Sequence, residues 1–174
     1  MNNIVLIGYR GSGKTTVGRL LAERLDCALL DTDERIVDRA GMSIADIFAT
    51  NGESAFRDLE AEIIAEASAR SAVVLSVGGG AVLRDDNVRR LRDCGMVFWL
   101  DADAETLWSR IAGDEATDTS RPALTDKTGL DEVRQLLGER RAQYERCAHH
   151  RIPTADRTPT QVADAIEVLT ARTR

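Results

Sequence analysis

Gly8-Tyr9-Arg10-Gly11-Ser12-Gly13-Lys14-Thr15 satisfies the pattern G-x-x-x-x-G-K-[ST] at every fixed position. Each residue type there suits a polyphosphate. The glycines let the chain turn tightly enough for its N–H groups to point inward. Lys14 supplies a mobile cation for β- and γ-phosphates, and the Thr15 hydroxyl is a ligand for Mg²⁺. The loop follows an apolar run at 4–7 and opens a segment with Val17, Leu20, Leu21 and Leu25 at helical spacing. A helix N-terminus would then add its positive potential to the loop. A nucleoside triphosphate with Mg²⁺ is the expected ligand. Thr16 stands where the dinucleotide pattern G-x-G-x-x-G needs its third glycine, so that fingerprint is excluded. No N-K-x-D segment for guanine occurs, which disfavours a GTPase.

A second group of residues could supply the rest of a transfer reaction. Asp31-Thr32-Asp33 follows a short apolar run at 28–30. On an extended segment two residues apart share a face, so both carboxylates could enter one crevice. One would serve a metal's water shell, and the other would accept a proton from an attacking hydroxyl. Equally, an aspartate there is a good helix N-cap. Arg57 and Glu60 lie three apart on a helical segment and can pair, either as part of a site or as a solvated surface pair. Gly78-Gly79-Gly80 after a third apolar run permits close approach of a ligand to the backbone, or marks a plain turn. Arg121-Pro122 falls in a polar stretch, where a flexible arginine could fold over a γ-phosphate. Arg140 and Arg141 precede Tyr144 on a helix; singly, arginines in such positions are usually surface charges.

The elements that must hold these residues follow from periodicity. Strands are expected at 4–7, 28–30, 73–77 and 96–100, with a weak fifth at 151–153. Helices are expected from Val17 onward and at 44–48, 56–69, 88–92, 104–111, 130–147 and 160–169. Residues 113–127 have no apolar period and read as a mobile loop. Strands alternating with helices imply a parallel sheet covered on both faces. Ligands in such folds sit at the carboxyl ends of strands, so Gly8, Asp31 and Gly78 should share one crevice.

The bulk composition agrees. The chain has 174 residues, 43% hydrophobic and 30% charged, the size of a single domain. Its 23 basic against 29 acidic residues give a net charge of −6, which argues against nucleic acid or an anionic membrane as partner. Cys27, Cys94 and Cys147 form no C-x-x-C pair, so free thiols and a reducing compartment are expected. With no signal-peptide pattern in Met-Asn-Asn-Ile-Val-Leu-Ile-Gly and no long apolar run, a cytoplasmic protein is expected. The adjacent His149-His150 reads as surface residues at a helix end.

Taken in order, these pieces resemble the shikimate kinase family, and the resemblance runs from Ile4 to the last helix. Its carriers are the phosphate loop, Asp31-Thr32-Asp33, Ser43-Ile44-Ala45-Asp46-Ile47-Phe48, Gly52-Glu53-x-x-Phe56-Arg57-x-x-Glu60, Gly78-Gly79-Gly80, Arg121-Pro122-x-Leu124 and Arg140-x-x-x-Tyr144. The resemblance implies an α/β, three-layer P-loop NTPase fold with a five-stranded parallel sheet. It also implies one kinase domain over 1–174, with a substrate-binding helical excursion at about 33–60 and a mobile lid at about 112–127. The implied reaction moves the γ-phosphoryl of ATP to the 3-hydroxyl of shikimate, with Mg²⁺ as cofactor.

Site roles follow from the same resemblance. Gly11, Ser12, Gly13, Lys14, Thr15, Thr16, Arg110, Arg121 and Arg157 would bind ATP, with Arg110 and Arg157, near Pro159, flanking the adenine. Asp33, Arg57, Gly79 and Arg140 would hold shikimate, the two arginines gripping its carboxylate in forked hydrogen bonds. Glu60 would orient Arg57. Lys14, Asp33 and Arg121 would be catalytic, and Thr15, with Asp31 through water, would hold the metal. A monomer is expected. The lid looks long and carries Asp114, Glu115 and Asp118, which should face outward; the role of Arg10 is open. A kinase for gluconate or a nucleoside monophosphate would share the loop and lid but would not need this acceptor set. A nucleotide-binding regulator without catalysis would be expected to lack Lys14, Asp33 or Arg121, and all three are present.

Overall fold

The computed structural model describes residues 3–113 and 127–172. Five strands build one parallel sheet: β1 (Asn3–Ile7), β2 (Ala28–Asp31), β3 (Val73–Ser76), β4 (Gly95–Asp101) and β5 (His150–Pro153), in the spatial order β2-β3-β1-β4-β5. The register sets Ile4 beside Val74 and Met96, Asp31 beside Ser76, and Phe98 beside His150. All strands therefore end at one edge, where the connecting loops gather.

Alternation within each strand sorts side chains to two faces. Val5, Ile7, Leu75 and Trp99 point into a core shared with α3 (Ile44–Ser68), α4 (Asp85–Cys94), α5 (Ala104–Ala112) and α6 (Gly129–Cys147). Ile4, Leu6, Val74 and Phe98 point the other way, onto α1 (Lys14–Arg24) and α7 (Pro159–Ala171). The result is the expected three-layer α/β fold. At the sheet's β2 side, α2 (Thr32–Ala40) and α3 enclose a separate small core of Ile36, Ile44, Ile47, Phe56 and Ile63. Each such side chain, fully buried, contributes roughly 1.5–3 kcal/mol. The segment between β2 and β3 thus has its own packing.

Two expectations change. Residues 31–33 are not an extended segment, because α2 starts at Thr32. Asp31 is its N-cap, with Oδ1 accepting from the Asp33 N–H at 3.0 Å, and Asp33 and Glu34 fill the first turn, where the helix dipole favours acids. The helices expected at 44–48 and 56–69 form one run, α3, but the backbone breaks at Gly52 (φ 80°, ψ 170°), a conformation that only glycine adopts without strain. The break lets the Phe48 and Phe56 rings meet at 4.7 Å.

All three cysteines are free thiols, and burial pushes Cys147 up to about 11. His149 is exposed, yet its Nδ1 accepts the Val97 N–H at 2.9 Å, so it has a structural task at the start of β5. Among the described residues no helix is long and apolar enough to cross a membrane.

Candidate active site

The phosphate loop joins β1 to α1 as its sequence requires. Gly13 caps α1 in the left-handed region (φ 92°) and leaves the first amides of the helix facing the loop's interior. Lys14 Nζ donates to the carbonyls of Gly8 and Tyr9 at 2.9 and 3.0 Å, so its cation already lies across the loop. A cavity of about 480 Å³ opens from here. Its wall includes Gly11, Ser12, Gly13, Lys14, Thr15 and Thr16, together with Asp31, Asp33 and Gly79 from the neighbouring strand ends. A cavity thus lies at the strand ends, as strand order implies; of the three residues expected to share it Asp31 lines it, while Gly8 and Gly78 give way to Gly11, Gly13 and Gly79.

Thr15 Oγ1 donates to Asp31 Oδ2 at 2.9 Å. The other oxygen of that carboxylate caps α2, so Asp31 acts as helix cap and crevice acid at once. Ser76, beside Asp31 in the register and also on the cavity wall, is a polar contributor that sequence reasoning missed. Among the described residues no group of three or more His, Cys, Asp and Glu side chains could hold a metal unaided. A hydroxyl with one carboxylate suits Mg²⁺, which takes few protein ligands and keeps water and phosphate oxygens.

At the opposite end, Arg110, Arg157 and Pro159 line the same cavity. Arg110 is already engaged: it donates to the Thr154 carbonyl at 2.7 Å and Oγ1 at 3.2 Å, and reaches the Gly11 carbonyl at 3.5 Å. It ties the phosphate loop to the turn after β5. Arg157 is exposed.

The glycine triplet joins these parts to the helices. A Cβ on Gly78 would lie 2.8 Å from Asp33 Oδ1 and 2.9 Å from Glu60 Oε1. One on Gly80 would lie 2.4 Å from both terminal nitrogens of Arg57. Gly79 packs against the Gly8 carbonyl and Tyr9 Cα, and its own carbonyl accepts from the Tyr144 hydroxyl at 2.6 Å. Side chains at 78 or 80 would thus displace Asp33, Glu60 or Arg57. The Gly78 N–H is held by Thr32 Oγ1 at 3.0 Å.

Arg57 and Arg140 are buried and are not part of the cavity's lining. Arg57 pairs with Glu60 at 2.7 Å and Glu53 at 3.2 Å; with Glu60 only 1% exposed, this is no solvated surface pair. Arg140 lies over the Tyr9 ring, 5.8 Å from its centroid. Burial raises the Tyr9 hydroxyl above its ordinary pKa, against the pull of Arg10 and Arg140. Arg10 itself lines the cavity and meets Glu132 of α6 at 3.5 Å. Arg121, the Arg121-Pro122-x-Leu124 pattern, Asp114, Glu115, Asp118 and the body of the expected lid lie outside the described residues.

A phosphate loop opening α1, a threonine–aspartate pair beside it and a second group of ionic side chains across one crevice define a P-loop phosphotransferase with a small acceptor. Comparison with known proteins narrows the class. The family model described as "Shikimate kinase" matches residues 10–170. A shikimate kinase of Symbiobacterium thermophilum is 48% identical over 98% of this chain and 97% of its own length. That of Caldicellulosiruptor bescii is 41% identical over 95% and 94%. The structure of an Acinetobacter baumannii shikimate kinase in complex with shikimate superposes with a TM-score of 0.92 at 35% identity, covering 100% of this chain and 95% of the other. The chain belongs to the shikimate kinase family, whose members are ATP-dependent kinases.

Proposed function

We propose that this chain transfers the γ-phosphoryl of ATP to the 3-hydroxyl of shikimate, giving shikimate 3-phosphate and ADP. The observation that carries the reading is the meeting of Asp33 and Gly79 with Lys14 and Thr15 on one cavity wall. The likeness over the whole chain to a structure described as a shikimate complex supports it.

The amides of Gly11 and Gly13, with Ser12 and Thr16, bind the triphosphate, and Lys14 leaves the Gly8 and Tyr9 carbonyls for the β- and γ-phosphates. Arg110 and Arg157 border the adenine. Thr15, with Asp31 through water, would hold Mg²⁺. When bound, that ion supplies positive charge to the phosphate oxygens. Arg57 and Arg140 grip the acceptor's carboxylate, Gly79 approaches its ring, and Glu60 fixes Arg57. Asp33 orients the 3-hydroxyl and takes its proton as the O3–Pγ bond forms and the bond from Pγ to the β–γ bridging oxygen breaks. Arg121, from the expected lid at 112–127, neutralises charge during transfer, and closure would exclude water.

The chain is read as one domain, with 33–60 as the acceptor-binding part, acting as a monomer on small molecules with neither nucleic acid nor membrane as partner. Its three free thiols support a reducing, cytoplasmic setting. A coupled ADP-release assay with shikimate and Mg-ATP tests the activity, with Lys14→Ala as the blank. Turnover no higher than the blank's, or a preference for gluconate or a nucleoside monophosphate in a substrate panel, would refute it.

A further inference from the structure

Arg140 and Tyr144 stand one helical turn apart on α6, so they share a face. Arg140 covers the Tyr9 ring. Tyr144 is fully buried, and its hydroxyl donates to the Gly79 carbonyl at 2.6 Å, across 65 residues of chain. Its ring is held independently: it stacks on Trp99 of β4 with centroids 5.7 Å apart and planes at 21°. Trp99 is held in turn by the sheet and by the guanidinium groups of Arg141 and Arg151, at 5.3 and 5.1 Å from its ring centroid. The donor is thus fixed by side-chain packing that does not depend on the glycines.

The accepting carbonyl belongs to the peptide between Gly79 and Gly80, and no peptide bond in the described chain is cis. In a planar trans peptide the N–H of Gly80 points opposite to the carbonyl of Gly79. Anchoring that carbonyl therefore sets the direction of the next amide, beside the Arg57 guanidinium. Glycines have the widest backbone freedom of any residue; Thr32 Oγ1 and the Ala81 N–H hold Gly78, and the Leu83 N–H holds the Gly80 carbonyl, while the Gly79 carbonyl between them is held by Tyr144.

We propose that Tyr144 is a positioning residue for the acceptor: through the Gly79 carbonyl it fixes the peptide plane of the glycine triplet against which the acceptor lies. It extends the reading above, on which the identity of the acceptor rests. α6 then serves the acceptor twice, directly through Arg140 and indirectly through Tyr144. A tyrosine that merely satisfies its own buried hydroxyl would affect stability without favouring one substrate.

Tyr144→Phe retains the ring and its stack and removes the donor. Hydrogen exchange of the 77–81 amides should speed up by about tenfold in the substrate-free variant while 3–7 stays unchanged, as expected when a buried carbonyl loses the hydroxyl that holds it. The KM for shikimate should rise by about tenfold, with kcat and the KM for ATP within about twofold of the parent. Tyr144→4-aminophenylalanine, which restores a donor at the same place, should reverse both changes. Unchanged exchange at 77–81, or a parallel rise in both KM values, would overturn the proposal. Faster exchange in a protein that never phosphorylates shikimate would uphold the role of Tyr144 and refute the acceptor.

Discussion

Arg57 on α3 and Arg140 on α6 are buried to nearly the same degree, at 8% and 6% exposure, yet their surroundings differ. Arg57 is held by the carboxylates of Glu60 and Glu53, lies over the Phe56 ring at 5.1 Å and seals Gly80. Arg140 rests on an aromatic face, and among the described residues no carboxylate forms an ion pair with it. Two arginines proposed to grip one carboxylate are thus kept in opposite ways. One is locked into the scaffold with its charge offset by carboxylates; the other, among the described residues, is laid on a ring. A buried cation needs compensation, and a carboxylate ligand would supply it at Arg140 more than at Arg57.

The largest expected effect is on folding. Arg57→Ala strands Glu60 in the interior and should cost roughly 3–5 kcal/mol in urea denaturation. Arg140→Ala, with no ion-paired acid among the described residues to strand, should cost about 1 kcal/mol, the ordinary loss for one residue. Equal losses would erase the contrast. Next comes binding: Arg140→Ala should raise the KM for shikimate by about 100-fold through loss of two charge-assisted hydrogen bonds, and leave that for ATP nearly unchanged. A matching rise for ATP would remove Arg140 from the acceptor. Arg140→Lys keeps the charge without the planar fork and should raise the shikimate KM by about tenfold; full activity would mean that charge alone suffices. The smallest effect belongs to Glu53→Ala. Its side chain is 56% exposed, so stability should fall by less than about 1 kcal/mol. A loss as large as that of Glu60→Ala would mean that Arg57 depends on both acids equally.

Legibility in the sequence followed the length scale of each interaction. The phosphate loop is local, so Lys14 and Thr15 could be read from eight residues. The strands were legible because buried parallel strands leave continuous apolar runs. The helix at Thr32–Ala40 was missed because only Ile36 and Thr32 bury there, too few to create a period, while its cap Asp31 was ambiguous. The capping reading of Asp31 and a place in the crevice are compatible, because one oxygen caps α2 while the other, on the cavity side, accepts from Thr15. The tie from Arg110 to Thr154 and that from Tyr144 to Gly79 join residues 44 and 65 positions apart, and no local pattern announces such pairs. The arginines Arg57 and Arg140 were legible as types but not as one cation held by carboxylates and one laid on a ring, since that difference lies in their neighbours.

The glycine triplet also constrains how this chain can vary. Gly78 is closed to larger residues by Asp33 and Glu60, and Gly80 by Arg57, while Gly79 meets backbone and a tyrosine hydroxyl. Three adjacent codons therefore answer to three different sets of distant partners. A side chain at 78 or 80 must push aside the carboxylate or guanidinium facing it, a group proposed above for the acceptor site, so its cost falls on that group's position. At 79 the nearest obstacle is the Gly8 carbonyl, at 3.3 Å from an added Cβ, a milder crowding than at 78 or 80 but one that the main chain itself must relieve. Along a lineage the outer two positions are therefore tied to the charged side chains facing them, whereas the middle one depends on how far the main chain at Gly8 can give.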